Sequence, residues 1–156
     1  MGVRQARSRH RAFTLIELLV VLVIIAILLA VAVPLLIRSK VAANEASALG
    51  SLRSITSCEE LFRTENKHYG TLAELNGEQL VDPELGKGKK AEYVFDCFVE
   101  DETKNSRWYA EGHPVVHNRS GLNIFYVDES GVIRYRDTGG AVFVPRADAE
   151  AWSASE

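Results

Sequence analysis

The stretch Arg9–Leu36, RHRAFTLIELLVVLVIIAILLAVAVPLL, decides the architecture of this chain. From Leu18 to Ile37 the sole residue that is not plainly aliphatic is Pro34. A membrane-crossing helix needs about 20 such residues in a row. One carboxylate, Glu17, stands at the start of the run. A charge in hydrocarbon costs about 3 kcal/mol or more, so an acid kept there calls for a physical reason.

Outward from this stretch, the 156 residues allow an anchor plus one small domain. The net charge of −3 hides a division. Residues 1–12 carry Arg4, Arg7, Arg9 and Arg11 and no acid, which leaves 14 basic against 21 acidic residues, or −7, in the rest. An acidic body argues against a broad nucleic-acid face, because phosphate contacts supply most of that affinity. The two cysteines, Cys58 and Cys97, allow one disulfide and exclude a four-cysteine zinc site.

Basic residues followed by an apolar run form a targeting pattern, with the arginines on the cytoplasmic side. Three outcomes compete. The run is a permanent anchor. Or it is an ordinary secretory signal cut after Ala30-Val31-Ala32, which would release a soluble exported binding domain. Or the cut falls between Ala12 and Phe13 and the greasy segment is kept.

The residues Phe13-Thr14-Leu15-Ile16-Glu17-Leu18-Leu19, with Pro34 further on, resemble the N-terminus of the type IV pilin family, including the pseudopilins of type II secretion. The resemblance covers about Ala12 to Pro34. It implies that a prepilin peptidase removes residues 1–12, that Phe13 becomes the methylated N-terminus, and that Glu17 is the assembly glutamate. Two positions depart from the family pattern: Ala12 stands where Gly is usual before the cut, and Ala26 where many members have Gly. The implied partners are other copies or related pilins in a filament, the peptidase, an inner-membrane assembly platform with its ATPase, and inner-membrane lipid. The implied location is the bacterial inner membrane with the head outside the cytoplasm, then a pilus or a periplasmic pseudopilus. A pilus subunit, major or minor, is favoured, with a type II secretion pseudopilin as the alternative.

In this frame Glu17 has a function. Cleavage creates a cationic amine at Phe13, and Glu17 of one subunit can meet that amine in its neighbour. In an apolar filament core the pair sets register, because misalignment leaves a charge buried and unpaired. The competing reading is a glutamate that snorkels to water at the membrane surface. Pro34 lacks an N–H and should kink the helix or loosen the turn before it. Ala favours helix over Gly by about 1 kcal/mol, so loosening is not expected to reach Ala26.

Beyond the run, Leu49, Leu52, Ile55, Cys58 and Phe62 recur at helical spacing, one apolar stripe with Ser47, Ser51, Arg53, Ser54 and Glu60 largely off it. The pattern predicts a helix from Phe13 to about Glu65, with Gly70 as the turn residue that ends it. Residues 71–90 read as a polar connection with a helical turn at Leu72–Leu75. Its Lys87, Lys89 and Lys90 form a small basic patch, most simply a solvated loop. The period then changes to two. Strands are expected at AEYVFDCFVE, at SRWYAEGH after a turn at Asp101–Asn105, and in the hairpin LNIFYVDESGVIRYRD. The fold class is therefore α+β: a long N-terminal helix whose second half packs on an antiparallel sheet of about four strands, the other sheet face largely wet. The expected segments are 1–12 leader, 13–37 membrane and assembly helix, 38–66 amphipathic helix, and 67–156 head and tail. An edge strand at Ala141–Val144 and a loose or helical last ten residues complete the reading.

Cys58 on the stripe and Cys97 on the strand face of Phe95 could clamp helix to sheet as a disulfide, or remain two buried thiols. The absence of a C-x-x-C pattern argues against redox catalysis. His113 and His117 have a metal spacing only on a helix, which Pro114 opposes. Asp128-Glu129 reads as a turn rather than a calcium site. Asn118-Arg119-Ser120 fits a glycosylation acceptor. No nucleophile–base pair, phosphate loop or cofactor motif is evident, so a structural subunit rather than an enzyme is expected, with no cofactor.

Overall fold

A computed structural model of the protein describes residues 13–100, 107–140, 146–149 and 151–154. The leader 1–12 with Ala12, the turn Asp101–Asn105 and the strand expected at Ala141–Val144 lie outside the described residues. The chain divides into two compact units, Met1–Leu36 and Ile37–Glu156.

Helix α1 (Leu15–Asn66) begins in the first unit and contains Pro34. In the first unit its most apolar stretch has mean hydropathy 3.4 and none of it is buried. Nineteen large apolar side chains between Phe13 and Ile37 are exposed. They are already about half covered by the helix itself, so burying the rest of each is worth about 1 kcal/mol, and this surface carries on the order of 20 kcal/mol of unmet hydrophobic stabilisation.

In the second unit α1 buries Val41, Asn44, Ala48, Ser51, Leu52, Ile55, Glu59 and Phe62, at the three- and four-residue steps of one helix face. Leu49 and Cys58 flank it as partly buried neighbours. Ser51 was expected off the stripe. It is buried because its hydroxyl donates to the Ser47 carbonyl at 3.0 Å and needs no other partner. The helix ends at Asn66, and the left-handed residue after it is Lys67 (φ 65°), not Gly70. The Lys67 N–H closes the last turn on the Arg63 carbonyl at 2.9 Å. Gly70 has a different role: a Cβ there would meet the Phe62 ring at 3.0 Å, so any side chain would press that ring aside.

The turn expected at Leu72–Leu75 is a short helix, α2 (Leu72–Gly77), opened by a Thr71–Glu74 capping box. A 3-10 turn, Leu85–Lys87, follows. The sheet runs β1 (Lys89–Lys90), β2 (Tyr93–Val99), β3 (Trp108–Pro114), β4 (Ile124–Asp128), β5 (Arg134–Arg136), β6 (Ser153–Ala154), each strand antiparallel to the next. The four strands read from period-two alternation are β2 to β5. The two added edge strands are two residues long, too short to show a period.

The register Phe95↔Gly112↔Phe125 and Cys97↔Ala110↔Val127 puts these residues on one face. That face joins the α1 stripe in a core with Tyr93, Trp108, Leu75 and Leu85. The opposite face is not wet as expected. Tyr109, Ile124 and Tyr126 are covered by Ala149 and Trp152 of the tail, which includes helix α3 (Arg146–Ala149). Tyr109 stacks between Phe98 and Tyr126, at ring-centre distances of 4.9 and 5.7 Å. A lone tryptophan in an acidic tail has no periodicity, which is why this layer was invisible in the sequence.

Candidate assembly segment and the buried acid of the head

At the start of α1, Thr14 and Glu17 form a reciprocal cap. The Glu17 N–H donates to the Thr14 hydroxyl at 3.2 Å. The Thr14 N–H and hydroxyl both donate to Glu17 Oε2, at 3.0 and 2.8 Å. This is the S/T-x-x-E capping box, worth about 1 kcal/mol at a helix start. The sequence carried that signal in Thr14-Leu15-Ile16-Glu17, and the expectation of Glu17 as a register charge passed over it. Glu17 therefore has a local partner in a single chain. Both bonds to the carboxylate use Oε2, and among the described residues Oε1 accepts none, leaving one oxygen for an amine. Phe13, at 79% exposure, is open beside it.

The two cysteines do not pair. Both are free thiols. Cys58 donates to the Leu80 carbonyl at 3.0 Å, and Cys97 donates to Glu59 Oε1 at 3.3 Å. Cys97 faces Glu59, the next residue round the helix from Cys58. One helical step of about 100° turns Cys58 toward α2 and the segment after it, out of line with Cys97. Burial pushes both thiols up from their ordinary range; the Glu59 carboxylate adds to the rise at both, and at Cys58 a hydrogen bond with Ser54 opposes it.

Glu59 is the functional-looking residue that sequence reasoning missed. It is wholly buried on the α1 stripe. Its Oε2 accepts the Gly70 N–H at 3.0 Å, so it ties the end of α1 to the chain that leaves it. Burial pushes its carboxyl up to about 7, while the bonds from Gly70 and Cys97 pull it down and the charges of Glu74 and Glu60 push it up. The one available signal was its place between Ile55 and Phe62 at helical spacing.

The remaining candidates separate. His113 lies on β3, and burial lowers its basicity. His117 sits 3.6 Å from Asp137 in the following loop. Asp128 is buried at the hairpin turn, where its carboxylate takes the Ser130 N–H at 2.9 Å, the Ser130 hydroxyl, and Arg134 at 3.1 Å. Gly131 (φ 71°) closes that turn. Among the described residues no three His, Cys, Asp or Glu side chains could hold a metal.

The described chain is thus of the class with a self-capped helix long and apolar enough to cross a membrane, joined in sequence to a small antiparallel head. The comparisons agree. Residues 7–33 match the prokaryotic N-terminal methylation motif. The chain is 30% identical to the type IV major pilin protein PilA of Myxococcus xanthus over 96% of this chain and 66% of that one. It is 33% identical to the type II secretion system core protein G of Escherichia coli over 43% of this chain, spanning about half (46%) of that relative. It is 32% identical to the competence protein ComGC of Streptococcus pneumoniae over 54% of this chain and 78% of that one. No solved structure gives a match. The chain belongs to the type IV pilin and pseudopilin family.

Proposed function

We propose that this protein is a structural subunit of a pilus-like filament, cut before Phe13, methylated there and polymerised through α1. The observation that carries the reading is the exposed apolar surface from Phe13 to Ile37, which water cannot stabilise and which lipid, then neighbouring helices, would cover. Ala12 and Phe13 flank the processing site. The leader 1–12 stays cytoplasmic, 13–37 spans the inner membrane, 38–66 packs on the sheet, and the head of 67–156 sits outside. A prepilin peptidase and an assembly platform act on it there. Pro34 is the point where α1 yields in the filament.

Glu17 has two jobs that can be separated. In the single chain it caps α1 through Thr14. In the filament its second oxygen takes the Phe13 amine of a neighbour. Thr14→Ala removes the hydroxyl that accepts from the Glu17 N–H and costs about 1 kcal/mol of helix stability, but leaves the carboxylate. Glu17→Ala removes both functions. Incorporation into filaments, measured on sheared fibres, should survive Thr14→Ala and collapse with Glu17→Ala while membrane insertion persists. Equal losses in the two variants would reduce Glu17 to a cap. A pseudopilus is the second reading, favoured by the similarity to the secretion protein.

A further inference from the structure

The second unit holds a shallow groove of about 730 Å³ whose wall carries five cations, Lys40, Lys87, Lys89, Lys90 and Arg119. Two carboxylates, Glu84 and Glu92, share it. That is a local excess of positive charge on a chain whose residues beyond the leader sum to −7. Lys40 is held by Glu92, and Lys90 by Asp82 at 2.8 Å. Among the described residues no ion pair engages Lys87 or Lys89, the Arg119 charge acts on Glu92, and all three cations are exposed.

The same groove is lined by Val115 and Val116, 45% and 49% exposed. They stand on a tied loop. Ser120 and Arg119 donate their N–H groups to the Val116 carbonyl at 2.8 and 3.2 Å. Asn44 of α1 donates to the Ser120 carbonyl at 2.8 Å, and the Ser120 hydroxyl donates to Glu92 at 3.0 Å. The loop thus holds two aliphatic side chains out in water with its backbone satisfied. In the sequence Lys40 comes four residues after Leu36, the last residue of the apolar unit.

We propose that this face docks on an anionic lipid surface while the subunit waits in the membrane, the cations meeting headgroup phosphates and the valines entering the interface. The inference rests on the membrane-spanning reading above. Each cation near an anionic membrane favours the docked state by about fivefold. Nucleic acid is disfavoured as the occupant, because the chain beyond the leader sums to −7 and lacks the broad cationic face that phosphate-driven binding needs.

The test uses the full chain in single-copy nanodiscs of phosphatidylcholine, with or without about a third phosphatidylglycerol, read by amide hydrogen exchange. The segments 87–90 and 115–120 should exchange on the order of tenfold more slowly in the anionic discs, with the β3–β4 core unchanged. Lys87→Gln/Lys89→Gln/Arg119→Gln, or about 0.5 M salt, should abolish the difference. Equal exchange in both discs overturns the docking. Slowing by added oligonucleotide instead of lipid, or only in discs with two copies, assigns the face to another occupant and also overturns it. Failure of 13–37 to enter either disc overturns the membrane reading and the docking with it. Entry without protection of the groove overturns the docking alone.

Discussion

Raising the pH from 5 to 8 should destabilise the head, and Glu59 should be the cause. Its carboxyl is pushed up to about 7 by burial, against an ordinary value of 4.5. Between those two values the folded state binds a proton that the unfolded state has released, so stability falls as pH rises. The full benefit is present below about 4.5 and is lost once the pH passes about 7. A shift of that size corresponds to about 3 kcal/mol. Glu59→Gln keeps an acceptor for the Gly70 N–H and removes the charge. The variant should match the parent at pH 4 and exceed it at pH 8 by about 3 kcal/mol. Glu59→Ala is a different perturbation: it too removes the charge, but it orphans the Gly70 N–H and opens a cavity, costing about 2 kcal/mol or more relative to Glu59→Gln at every pH. The assay is urea unfolding of the full chain in mild detergent, followed by the fluorescence of buried Trp108, 6.1 Å from the Tyr69 ring. His113, its basicity lowered by burial, works in the opposite direction. The parent-minus-variant difference cancels it. Parallel pH profiles for parent and Glu59→Gln would refute the reasoning.

Two other outcomes follow from the head. Trp152→Ala should destabilise it by about 3 kcal/mol in the same unfolding assay, because it uncovers Tyr109 and Tyr126; an unchanged midpoint would return that sheet face to solvent. Both thiols should titrate with a disulfide reagent after denaturation, without prior reduction. Native Cys97 should react far more slowly than a free thiol, since burial keeps its thiolate scarce.

The elements with a strong period were legible in the sequence. The apolar run, the stripe Leu52–Ile55–Phe62 and the alternation in Tyr93–Val99 each repeat a physical requirement several times, and each is where the structure has its helix or strand. What could not be read depends on a single residue meeting a distant one. Glu59 is an acid on an apolar stripe, and only the arrival of Gly70 and Cys97 makes that place tolerable. Trp152 covers a face more than twenty residues back along the chain. The cysteines share the right surfaces but differ by one helical step. The Thr14–Glu17 cap is the exception, since it is local and was readable. A charge beside a membrane segment drew attention to its possible neighbour in a filament and away from its neighbour in the chain.

The central claim is that the apolar start of α1 remains in the mature protein as the surface through which subunits join. Intact-mass and N-terminal sequencing of the exported protein tests it most directly. The account predicts a chain beginning at methylated Phe13, with Glu17 four residues on. A mature chain beginning at Val33 would contradict it.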